Sequence, residues 1–306
     1  PMPVGISQPP LCLTCPRHRK KIAAVVASER AGICCQAYSI GSMQSVDKNK
    51  PYDFPELFRD FALMPKFSDD VDGLSQLAEP EDWDYKHTTP QHPHPILRNY
   101  ITYTYRRVAE EKKISVTPDE ENCCWNTGLI TSTQEPIFVL FSKNKLSASQ
   151  PYWHFWKFAR KGEWELNRFA SLPEMAHYFE DPSVLVFDTR KELRVNVEHV
   201  VSDNLTRFPA DLQKMNLFGL QNIVKGAIDS AIQRVKRNYK TAIPQYYQGS
   251  VQLLLPLSLT DPSKADLALV VEKFSDFYRA ATCLTLDMAY NNARQLARPD
   301  RDWLAP

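Results

Sequence analysis

Glycine is scarce in this chain, 9 in 306 residues, and the scarcity excludes whole classes of function. Phosphate-cradling loops need glycines at fixed spacing so that backbone N–H groups can approach the anion. Neither G-x-G-x-x-G nor G-x-x-x-x-G-K-[ST] occurs. Long hydrophobic runs are missing as well. The longest early one, residues 22–27, is too brief for the apolar part of a secretory leader, and no later run approaches the roughly 20 residues of a membrane helix. The expectation is an intracellular protein, cytoplasmic or nuclear, with no membrane partner. An excess of charge of one sign is also absent: 37 Lys and Arg against 36 Asp and Glu leave +1. No whole-chain attraction to a polyanion follows, so any phosphate contact must come from a local cluster. The cysteines number seven and include the adjacent pairs Cys34-Cys35 and Cys123-Cys124. An odd count at irregular positions does not make a disulfide framework.

What is present describes a globular protein of α+β class. Hydrophobic residues make up 43% and charged residues 24%, enough to bury a core. Residues 1–50 differ from the rest. They form a divergent tail with Cys12-x-x-Cys15, the basic run Arg17-His18-Arg19-Lys20-Lys21, and Cys34-Cys35. A zinc knuckle on Cys12 and Cys15 would need Cys34, Cys35 or His18 to complete it, and adjacent cysteines rarely converge on one ion. A solvated basic tail is the simpler reading, with no metal or cofactor.

Residues 51–306 read as one large domain of mainly antiparallel sheet with flanking helices. A helix is expected over 52–64, closed by Pro65, then an acidic, turn-rich stretch over 69–84. The loop 88–95 carries His92 and His94, too few ligands for a metal site. Leu97, Ile101, Tyr105 and Val108 fall at helical spacing and predict a helix over 96–113. The period then shifts towards two: strands are predicted over 123–125, 129–132, 136–142 and 152–160, with Asn126-Thr127-Gly128 as a turn. In the last of these, alternation puts Tyr152, His154, Trp156 and Phe158 on one face and Trp153, Phe155 and Lys157 on the other. Two short helices, 172–179 and 196–205, flank a strand at 193–195. A long helix spans 219–239, strands follow over 251–257, 266–273 and 277–284, and a last helix covers 286–297.

One stretch, residues 234–257, joins cations, rings and an abrupt change of structure. Arg234, Lys236, Arg237 and Lys240 crowd the helix end, and Tyr239, Tyr246 and Tyr247 follow at once. Cations suit the negative pole of a helix, but that does not account for the tyrosines. Cations interleaved with stackable rings are the ingredients of single-stranded nucleic-acid binding. Along the last helix Asp287, Asn291, Arg294 and Arg298 share a face, so Arg294 and Arg298 would extend the track. The expected partner is RNA or a nucleotide.

Two other readings use the same residues. The cations could clamp a phosphorylated substrate while His154, His177 or His199, or Asp261, Asp266 or Asp287, transfers a proton. Alternatively the segment is an ordinary helix end in a protein-interaction scaffold, with Tyr246 and Tyr247 buried.

The segments Leu77-Ala-Glu-Pro-Glu-Asp-Trp83, Pro95-Ile-Leu with Asn99-Tyr100, Asn126-Thr-Gly-Leu129, Arg234-Val-Lys-Arg-Asn-Tyr-Lys-Thr-Ala242, Pro244-Gln-Tyr-Tyr247 and the run from Leu259-Thr-Asp-Pro262 to Asp287-Met-Ala-Tyr-Asn-Asn-Ala-Arg294 resemble the DUF3825 family, a bacterial and fungal domain of unknown function. The resemblance covers about residues 75–304 and leaves 1–50 outside. It implies a link to nucleic acid, because such domains occur beside RNA-binding modules such as LOTUS-type winged helices and cold-shock-like domains. It carries over no catalytic residue, and no such module is evident in this chain.

Overall fold

A computed structural model describes residues 54–146, 151–299 and 303–304. The tail, with Cys12, Cys15, Cys34 and Cys35, lies outside the described residues. The described chain starts with a single helical turn, α1 (Phe58–Phe61), and a two-residue strand, β1 (Ala62–Leu63). Helices α2 (Phe67–Leu77) and α3 (Pro95–Glu110) follow. Proline suits the first turn of α3, where its missing N–H would have no partner in any case. Then come β2 (Ser115–Val116), β3 (Asn122–Ile130), β4 (Pro136–Lys143) and β5 (Trp153–Arg160). The second half opens with β6 (Glu192–Val195), α4 (Val197–Ser202), α5 (Ala210–Gln213) and α6 (Leu217–Arg237). It closes with β7 (Ile243–Tyr247), β8 (Ser250–Leu257), β9 (Leu267–Lys273), β10 (Phe277–Leu284) and α7 (Leu286–Leu296).

The strands form two five-stranded sheets, ordered β1-β5-β4-β3-β2 and β6-β10-β9-β8-β7. Both follow one plan. Four strands form an antiparallel meander, and the strand that precedes them in the chain lies parallel beside the last. Ala62 is thus in register with Trp153 in the first sheet, and Glu192 with Phe277 in the second. The architecture is α+β and mainly antiparallel, as the sequence predicts.

The two sheets share a core with α3 and α7. Trp125 and Phe141 of the first sheet and Leu254 and Val270 of the second join Leu97, Ile101, Ala289 and Ala293 in one apolar cluster. The other face of the second sheet packs under α4 and α6, through Val200, Val224, Ile228, Leu255 and Leu269. On the far side of the first sheet, Leu166 and Phe169 cover Phe138 and Leu140.

Five expectations fail; the first is the helix over 52–64, whose described part is helical only in the single turn α1 before the chain enters β1. The acidic stretch is helical up to Leu77, as α2, because Val71 and Leu74 bury one turn apart, and only residues 78–84 keep the turn-rich form expected. Asn126-Thr127-Gly128 is no turn. It lies inside the continuous strand β3 at a register shift, with Gly128 at φ 74°. Residues 172–179 are not helical and form no regular element. Side chains around α3 take up their backbone groups: Lys113 donates to Met175 O, Arg107 to His177 O, and the Glu111 carboxylate accepts from His177 N–H. Alternation in β5 breaks at a bulge at Trp156, which has no partner between the pairs Leu140–Lys157 and Phe141–Phe155. Trp153, Phe155 and Phe158 therefore all turn to the shared core, and Trp156 packs on the opposite side.

Candidate functional site

The basic segment at the end of α6 separates into an outer and an inner part. Lys236, Arg237, Tyr239 and Lys240 are exposed, and Tyr239 keeps 63% of its surface in solvent. Arg234 is half-buried, donating to Ser258 Oγ at 3.3 Å and to the Pro262 carbonyl. It ties the helix to the loop after β8. Tyr246 is buried, its ring edge-on to Tyr178 with centroids 4.8 Å apart and the Arg107 guanidinium over it at 5.7 Å. Burial raises the pKa of its phenol. Tyr247 is half-buried beside Gln248, whose amide donates to its hydroxyl.

The row on α7 faces inwards, against expectation. Asp287 is buried and accepts hydrogen bonds from Lys86 N, His87 N and Thr88 Oγ1. Asn291 accepts from Asn99 Nδ2 on α3. Arg294 is buried in a two-pronged ion pair, with Nε 2.6 Å from Glu81 Oε1 and Nη2 3.0 Å from Glu81 Oε2. Its guanidinium also sits over the rings of Trp83 and Tyr100, at 4.9 and 4.7 Å. Burial works against the charge, yet the Glu81 carboxylate and Tyr100 hold the Arg294 pKa above its ordinary value. Only Arg298, past the end of α7, is exposed.

Arg294 and Arg298 border a cavity of about 200 Å³ that also reaches Trp83, Tyr100, Thr104 and Tyr178. Its floor is set by Gly128: a Cβ there would stand 2.7 Å from the Tyr100 hydroxyl, which donates to Thr127 O at 2.9 Å. Three polar atoms in its wall have no hydrogen-bond partner: Trp83 Nε1, Thr104 Oγ1 and Tyr178 Oη. Thr104 and Gln295 flank the Tyr178 hydroxyl without closing a regular hydrogen bond, and burial raises its pKa. An unpartnered buried polar group costs about 1–3 kcal/mol.

The family model described as "Domain of unknown function (DUF3825)" matches residues 74–303. The chain belongs to this family. Comparisons with curated proteins and with solved structures give no match. Four of the DUF3825-like segments, scattered in sequence, meet in space at the cavity: 77–83 supplies Glu81 and Trp83, 99–100 supplies Tyr100, 126–129 supplies Gly128 and Leu129, and the last supplies Arg294. The segments 234–242 and 244–247 approach it through Tyr246, which abuts Tyr178.

The residues considered for proton transfer lie elsewhere. His199 pairs with Asp203 at 2.9 Å on the surface, and exposed His177 is held through its backbone. His154 Nδ1 is 2.7 Å from the carbonyl oxygen of Phe155. Asp261 and Asp266 cap the turn between β8 and β9, and Asp287 fixes residues 86–88. None borders the cavity. Among the described residues no group of three His, Cys, Asp or Glu is placed to hold a metal ion, and no helix is long and apolar enough to cross a membrane. Sequence reasoning missed Thr104 and Tyr178. Thr104 had a signal: it follows Tyr100 by four residues on the buried side of α3, a polar residue where the helix turns inwards.

Proposed function

We propose that this DUF3825 domain binds single-stranded nucleic acid, RNA included, through the surface where α6 ends. One observation carries the reading: the Tyr239 ring, 63% exposed, stands between exposed Arg237 and exposed Lys240, with Lys236 beside them. Cations at a helix C-terminus stabilise the helix, but an exposed tyrosine among them adds nothing to that. Rings stack on bases while cations neutralise phosphates. Arg234 ties the last turn of the helix down through Ser258 and Pro262, while Tyr246 and Arg294 are buried and offer no surface. Arg298 and Trp303 are five residues apart, and Trp303 donates to Thr241 O. The backbone at Arg298 is therefore within ~18 Å of the backbone at Trp303. The enzymatic alternative has less support, because its proton-transfer candidates are apart from the cavity.

The test is anisotropy of a labelled single-stranded RNA across a salt series. Three phosphate contacts give a slope of log affinity against log salt of about −2. Lys236→Ala with Arg237→Ala is expected to weaken binding at least tenfold while leaving the protein folded, with only the small loss of helix-end stabilisation. Undiminished affinity in that variant rejects the proposal.

A further inference from the structure

β6 pairs with β10 on one side and is the outermost strand of the second sheet on the other. Beyond the pair Val195–Ala280, Asn196 N–H donates to Ala280 O. In a parallel ladder each residue sends both backbone groups to one side, and successive residues alternate. Glu192 and Arg194 therefore face β10 in step with Asn196, and Leu193 and Val195 turn their N–H and C=O outwards. Among the described residues no backbone hydrogen bond outside the ladder takes up those outward groups. The side chains alternate as well. Glu192 and Arg194 are exposed on one face, 2.8 Å apart, while Leu193 and Val195 pack against the core under α4 and α6. Charge on a short edge strand commonly guards against pairing with other chains. Here, however, the charges are one of each sign, two residues apart, and such a strand is complementary to itself.

We propose that β6 is the pairing edge for a second copy of this chain, antiparallel across a two-fold axis at Leu193, so that the two five-stranded sheets run on as one. The outward groups of Leu193 then bond those of the partner's Leu193, and the interface is isologous. Glu192 comes to lie opposite the partner's Arg194, and Arg194 opposite the partner's Glu192. Charge fixes this register. Centring the pair on Arg194 instead sets two arginines against each other, and centring it on Val195 runs into α4, which starts at Val197. Arg194 is also ordered in advance. Its guanidinium lies over Phe277 at 4.2 Å, and Phe277 stacks on Phe274 at 5.0 Å with Arg279 beyond. Lys191 N–H is already taken by Asp188 O, which keeps the pairing short and the dimer weak. β6 shares no residue with the surface at the end of α6.

Sedimentation velocity of the full chain between about 1 and 200 μM, the range of a small interface, is expected to show a reversible monomer–dimer equilibrium. Glu192→Arg and Arg194→Glu are each expected to raise its dissociation constant at least about tenfold, since each sets like charges opposite one another at both cross-strand pairs. Circular dichroism is expected to show both variants folded, because the two side chains are exposed. An equimolar mixture of the two is expected to regain the wild-type level of dimer, because a wholly positive strand then meets a wholly negative one. A wild-type chain that stays monomeric throughout the series overturns the proposal. So does a dimer that either reversal leaves as tight as before, or a pair of weakened variants that fail to recover when mixed.

Discussion

Arg294 and Glu81, 213 positions apart in the chain, meet through two hydrogen bonds of 2.6 and 3.0 Å with little of either side chain in solvent. The pair joins the last helix to the segment after α2, and Tyr290 adds a third contact by donating to the same carboxylate at 3.2 Å. Arg294, which reads in sequence as part of a recognition row, is in fact the fastening of one wall of the cavity.

Glu81→Gln is therefore expected to be costly. Removing one partner of a buried pair strands the other charge, at about 3–5 kcal/mol. Urea denaturation checks this. Replacing Glu81 and Arg294 together by methionine is expected to cost less than Glu81→Gln alone.

Gly128→Ala is expected to destabilise on two counts. Its φ of 74° disfavours a side chain, and the added Cβ meets the Tyr100 hydroxyl at 2.7 Å. The backbone part alone costs about 1 kcal/mol or more. In a Tyr100→Phe background the steric part disappears, so a double-mutant cycle gives a positive coupling between the two positions.

Arg234 and Lys236 are expected to part company. Arg234→Ala loses the contacts with Ser258 and the Pro262 carbonyl and lowers the midpoint of thermal unfolding. Lys236→Ala moves that midpoint far less and weakens RNA binding. Calorimetry and anisotropy on the same two variants separate the roles.

Alkaline pH is expected to unfold the protein early. Burial pushes Tyr85 and Tyr290 from an ordinary pKa of 10 up to about 12. Between those values the unfolded chain releases phenolic protons that the native state keeps. The stability tied to these two groups is whole below pH 10 and is lost as pH rises through 12. Thermal unfolding followed from pH 8 upwards should show the fall begin near 10, and Tyr290→Phe should make it shallower.

Much of the fold was legible because its central elements bury strict patterns. Leu97, Ile101, Tyr105 and Val108 mark α3, and the apolar runs of β8 and β9 mark interior strands. The cavity was less legible. Trp83 lies outside any periodic stretch, and Thr104 is one polar residue among many on α3. Tyr178 sits in a stretch whose apolar spacing suggests a helix; the backbone groups of Met175 and His177 beside it are taken by Arg107, Glu111 and Lys113, partners distant in sequence. Local pattern likewise cannot tell a surface arginine from Arg294, because Glu81 arrives from the other end of the chain.

The parallel edge strands carry a consequence for the order of assembly. Each sheet is finished by the strand made first, since β1 must wait for β5 and β6 for β10. Neither pairing can be made by local zippering, and both close long loops, which slows folding relative to hairpin growth. During synthesis the flanks of β5 and β10 stay open until their early-made partners return. The chain therefore has two late closure steps, one in each half, and destabilising β1 or β6 should slow refolding far less than destabilising the meanders themselves.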